Sequence, residues 1–244
     1  MKNEMIQDEL AMFKATGFFD EKAIAIQHIK DFTEISNKHG IDYCIMFGLL
    51  LGLLRHHDFI PWDDDIDIVI FEYNKFTGRC RKELEGRGYV IQPDIRNGKN
   101  CGCRIFHKDN RKTTHKPELG FPWIGIWVHE KNQDHSIGFP PENIKYDLGD
   151  FFPLQKIRFM GAEIKIPKDP IKVLNTYFGK QNWMEYCMPS ILDHRKGGRS
   201  TDFPQKNYKL TDVMRFLQIP TVRTGNSGRP LFPNSAHPAF TAKR

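Results

Sequence analysis

The feature that most constrains this chain is a five-residue stretch holding four aspartates, Asp63, Asp64, Asp65 and Asp67, which runs straight into Ile66-Asp-Ile-Val-Ile70. Side chains alternate along a strand, so Asp65 and Asp67 share one face, and Ile66, Ile68 and Ile70 share the other. The isoleucines require a core, and the carboxylates require an opening beside it. Carboxylates held side by side repel one another unless a cation neutralises them. Hard oxygen donors of this kind suit Mg²⁺ or Mn²⁺, and Mg²⁺ held this way completes its shell with phosphate and water. Asp63 is placed to assist, whereas Asp64 is expected to face away. An EF-hand is excluded, because its glycine and glutamate positions fall on Ile68 and Asn74.

Just upstream, Gly48-Leu-Leu-Leu-Gly52 reads as a turn opening a short helix, whose backbone N–H groups suit a phosphate. Arg55 and His56 follow as candidate phosphate ligands, a task for which a guanidinium is well shaped. Together these residues describe metal-assisted phosphoryl transfer. Asp63, Asp65 and Asp67 are its metal-holding and catalytic residues, and Gly48, Gly52, Arg55 and His56 its substrate-binding residues.

The flanking patterns predict an α/β (α+β) fold. Helices are expected over 20–39 (with Ile24, Ile29, Phe32 and Ile35 on one stripe and Gly40 closing it), 49–55, 72–85 and 169–178, and a weak one over 210–217. Strands are expected over 41–47, 65–71, 89–92, 101–107 and 124–130, with a hairpin over 157–166. At 244 residues, 39% hydrophobic and 27% charged, the chain can bury a core without disulfides. That composition excludes a fibre and a disulfide-dense miniprotein. No apolar run is long enough to span a bilayer and no signal peptide is visible, so the expected location is cytoplasmic. Five cysteines, an odd number, read as reduced thiols, and Cys101-x-Cys103 lacks the usual zinc spacing. The net charge of +6 is concentrated in 187–244, where ten Lys or Arg face three Asp, so the folded body gives no sign of binding nucleic acid. The expected division is an N-terminal extension (1–19), one domain (20–186) and a basic, loosely ordered tail (187–244).

The acidic segment and its surroundings resemble the LicD family, which includes bacterial phosphocholine transferases and the animal fukutin and fukutin-related proteins. The matching residues are Gly48, Leu50, Leu51, Gly52, Arg55, His56, Ile60, Pro61, Trp62, Asp63, Asp65 and Asp67. Asp58 is like the fukutin-related branch. The resemblance implies a nucleotidyltransferase-type fold of the DNA polymerase β class, a mixed sheet with flanking helices. It also implies transfer of a phospho-alcohol group from a CDP-linked donor to a glycan hydroxyl, and, from the animal relatives, a Golgi location as the alternative. Two positions depart from the family. Leu49 stands where the family has Thr or Ser, and Gly125 stands where it has a third carboxylate, with His129 or Glu130 next in line to supply that role. These departures keep open a non-catalytic, nucleotide- or glycan-binding protein of the same fold. A metal-dependent glycosyltransferase using an Asp-x-Asp pair is the other alternative.

Overall fold

Helical spacing of apolar residues turns α1 (Lys22–Lys38) into an amphipathic element that buries Ala25, His28, Ile29, Phe32, Thr33, Ile35 and Ser36. Ile24 is 40% exposed, not on the buried stripe, because Ala25 takes the core contact in that first turn. The helix ends as expected at Gly40, whose φ of +61° is a left-handed position. The computed structural model describes residues 9–96, 98–139, 143–179, 182–190, 192–197 and 206–220.

The chain then builds a five-stranded mixed sheet from β1 (Tyr43–Ile45), β2 (Ile66–Ile70), β3 (Tyr89–Arg96), β4 (Lys99–His107) and β5 (Ile124–Val128), in the order β1-β2-β5-β4-β3. β2 and β5 run parallel, with Asp67 opposite Gly125, and the other neighbours are antiparallel. Ile66, Ile68 and Ile70 are fully buried, as their alternation demanded. Between β1 and β2 lies α2 (Phe47–His56). The helix expected over 72–85 is broken: Gly78, at ψ −116°, interrupts it within a π turn at Phe76–Cys80.

The expected hairpin forms from β6 (Gln155–Phe159) and β7 (Ala162–Ile166), turning at Met160 and Gly161, both at positive φ. α3 (Pro170–Phe178) starts as its sequence signals predict, with the Asp169 side chain accepting from Lys172 N–H at 3.1 Å. All five cysteines are buried and free. No helix among the described residues is long and apolar enough to cross a membrane.

Both expected boundaries differ in the structure. Leu10, Met12, Phe13 and Phe18 of the supposed extension are buried, and all but Met12 belong to the main core cluster. In the supposed tail, Cys187 pairs with Tyr208 in a short ladder, and α4 (Leu210–Phe216) buries Val213 and Met214. These apolar residues are too scattered among charges to show periodicity, yet each one finds a partner across the fold. Residues 221–244 lie outside the described residues.

Candidate active site

Gly48 sits in the first turn of α2, and a Cβ there would collide with Asp63 Oδ2 and stand 3.8 Å from Asp65 Oδ1. Glycine at 48 therefore lets the acidic segment close against the N-terminal end of the helix. The same closure brings Gly48, Arg55, Asp63, Asp65 and Asp67 into one cavity of about 640 Å³. Burial, then repulsion from Asp65, Asp64 and Asp67, drives the Asp63 carboxyl well above the usual carboxylate range. Burial raises Asp65 as well. The opposite wall is aromatic and aliphatic, formed by Tyr177 and Phe178 of α3 and by Trp183, Tyr186, Met188 and Leu192.

Gly52 and His56 do not line this cavity. A Cβ on Gly52 would lie 2.6 Å from Asp58 O and 3.0 Å from Ile60 N, so this glycine admits the chain that returns from α2 toward β2. His56 faces a separate groove and packs edge-on against Trp62. Burial, aided by Arg55, lowers it to about 3, so it is a neutral ring and no phosphate cation. Arg55 is 8% exposed. Its Nη1 donates to the carbonyls of Trp183 and Tyr186 at 2.9 and 3.4 Å, and its Nε donates to His56 Nε2 at 2.9 Å. The arginine expected to bind phosphate thus also ties segment 182–190 to the site, and Trp62 Nε1 donates to Met188 O in parallel at 3.0 Å.

Asp64 does not face solvent. It is 1% exposed. It accepts from the backbone N–H of His194 at 3.0 Å and from its ring Nδ1 at 2.6 Å. The other ring nitrogen lies 4.0 Å from Asp65 Oδ2. Burial opposes a charge on His194, but the Asp64 bond and the fields of Asp65, Asp64 and Asp63 outweigh it and push the imidazole up to about 9. Sequence reading missed His194 and the wall residues beyond α3, since neither has a periodic or spaced signal and Asp64 lies 130 positions away in the chain.

Gly125 lies opposite Asp67 in the β2–β5 register. His129 is fully buried, with Phe47, Phe71 and Tyr146 among its ring neighbours, and burial lowers it to about 3. Glu130 is exposed. Neither residue lines the cavity. Leu49 is 2% exposed and points into the core. Among the described residues, no group of three His, Cys, Asp or Glu side chains is assembled as a ready metal cage.

The family model for the LicD/FKTN/FKRP nucleotidyltransferase domain matches residues 40–169. An uncharacterized protein of Rickettsia prowazekii is 30% identical over 187 residues, 74% of this chain and 62% of that protein. The lipopolysaccharide cholinephosphotransferase LicD of Haemophilus influenzae is 34% identical over 60 residues, 24% of this chain and 23% of that protein. The mouse ribitol 5-phosphate transferase FKRP is 27% identical over 167 residues, 63% of this chain and 31% of that protein. The chain thus spans less than two thirds of each of these relatives.

Proposed function

Because this chain belongs to the LicD family of nucleotidyltransferase-domain proteins, we propose that it is a metal-dependent transferase. It moves a phospho-alcohol group, of the phosphocholine or ribitol-phosphate kind, from a CDP-linked donor to a glycan hydroxyl. The observation that carries this reading is the gathering of three carboxylates, Asp63, Asp65 and Asp67, at one cavity under the N-terminal turn of α2, where burial raises Asp63 and Asp65. Two relatives support it, one named for cholinephosphate transfer and one for ribitol 5-phosphate transfer.

The donor set fits a hard divalent cation, Mg²⁺ or Mn²⁺. It is made of carboxylates only, and a dication offsets the burial, with added repulsion from neighbouring aspartates, that raises Asp63 and Asp65. Asp65 and Asp67 would hold the ion with help from Asp63. Once bound, the ion supplies charge neutralisation at the phosphoryl group. The α2 N-terminus favours an anion at the same place. The wall of Tyr177, Trp183 and Tyr186 supplies rings for the donor's base.

The test is a donor screen by product mass, offering CDP-choline, CDP-ribitol, CDP-glycerol and UDP-sugars with Mg²⁺ or Mn²⁺. A CDP-alcohol is expected to be consumed, with loss of turnover in Asp65→Asn. Turnover of a UDP-sugar alone would establish the glycosyltransferase reading in its place.

A further inference from the structure

Gly125 and Trp127 are alternate residues of β5, so both project to the face that carries Asp67. There the Trp127 indole Nε1 donates to Asp67 Oδ1 at 2.6 Å. A Cβ on residue 125 would stand 2.8 Å from that oxygen and 3.4 Å from that nitrogen. Any side chain at 125 therefore crowds the hydrogen bond directly.

The indole is itself held in place. The Arg96 guanidinium lies over its ring at 4.8 Å, and Asp94 anchors Arg96 at 3.1 Å. Phe47 meets the ring edge-on at 6.5 Å. A cation over one face and an aromatic edge beside it restrict the ring to one orientation.

We propose that Trp127 is the positioning residue of Asp67. Its N–H fixes the carboxylate in the rotamer that meets the divalent cation, and position 125 is glycine because that hydrogen bond occupies the space a side chain would need. This rests on the metal reading given above. An N–H bond to an ionised carboxylate is among the stronger hydrogen bonds, and groups that orient a ligand from behind govern metal affinity. On this account Gly125 is not a missing ligand. Gly125→Asp weakens metal binding, where restoration of a lost carboxylate would strengthen it.

The experiment is calorimetric titration of the full chain with Mn²⁺ in the presence of CDP, for wild type, Trp127→Phe, Gly125→Ala, their double variant and Gly125→Asp. Thermal melts confirm that each variant is folded. Trp127→Phe keeps an aromatic ring and loses only the N–H, so its Mn²⁺ Kd is expected to rise about 10-fold. Gly125→Ala is expected to give a similar loss, and the double variant no more than either single one, because both remove one bond. In a ¹H–¹⁵N spectrum the Trp127 indole resonance is expected to shift on Mg²⁺ addition and in Asp67→Asn. The proposal is overturned by wild-type Mn²⁺ affinity in Trp127→Phe, by tighter binding in Gly125→Asp, or by losses that add in the double variant. A wild-type chain that binds no Mn²⁺ overturns the metal reading itself, a result distinct from binding that ignores Trp127.

Discussion

Asp63, Asp64, Asp65 and Asp67 lie within five positions, yet the fold gives them different work. Asp63 and Asp65 crowd the cavity, Asp67 is held by an indole, and Asp64 turns back to hold His194. Asp64→Asn replaces one acceptor oxygen by an N–H₂ that faces a His194 donor. The expected cost is about 2 kcal/mol of stability, measured by urea unfolding, because a buried bond is lost and a donor left unmatched. A variant as stable as wild type would show that the Asp64–His194 bond does not hold the wall. Leu49 is the opposite case. Its side chain is buried, so Leu49→Thr puts a hydroxyl into the core and is expected to cost about 1–3 kcal/mol, with no gain in CDP affinity by calorimetry. Tighter CDP binding in that variant would place position 49 at the donor phosphates.

At the scale of elements, the α1–sheet junction carries a pH dependence. His28 of α1 is 2% exposed. Its Nε2 accepts from Asn110 Nδ2 at 2.7 Å and its Nδ1 pairs with Tyr89 Oη at 3.1 Å, while the Tyr89 hydroxyl donates to Asp31 at 2.7 Å. Burial, then the His107 charge, lowers His28 from 6.5 to about 4. The unfolded chain therefore binds a proton between those pH values and the folded chain does not. Stability is fully present above pH 6.5 and is lost as pH falls toward 4, by roughly 3 kcal/mol from this ring. His28→Gln, compared with wild type by urea midpoints at pH 7 and pH 4.5, is expected to flatten that decline. An equally steep decline in the variant would assign it to other groups, of which His56 and His129 are shifted in the same direction.

For the whole molecule, part of the cavity lining, Met188, Leu192 and His194, comes from residues that a reading of charge and periodicity assigns to a loose tail. Cutting the chain after Tyr186 removes the Cys187–Tyr208 ladder, the Met188 and His194 tethers, and the buried side chains Val213 and Met214. The two side chains alone are worth about 3–5 kcal/mol. The thermal midpoint is therefore expected to fall by about 10 °C or more. A truncated chain melting within a few degrees of wild type would restore the tail reading. By itself the sequence determined the elements that local rules govern: α1 with its Gly40 stop, the buried face of β2, the Met160–Gly161 hairpin and the Asp169–Pro170 helix start. It also marked Asp63, Asp65 and Asp67, because an acidic run entering an isoleucine strand permits few arrangements. Only the tertiary structure decided the rest. That Arg55 also ties the site's wall, that Asp64 pairs with a histidine 130 positions away, and that Gly125 makes room for an indole follow from contacts between distant segments. Such contacts leave no periodicity in the chain, since a residue's neighbours in space are set by packing and strand register, not by its neighbours in sequence.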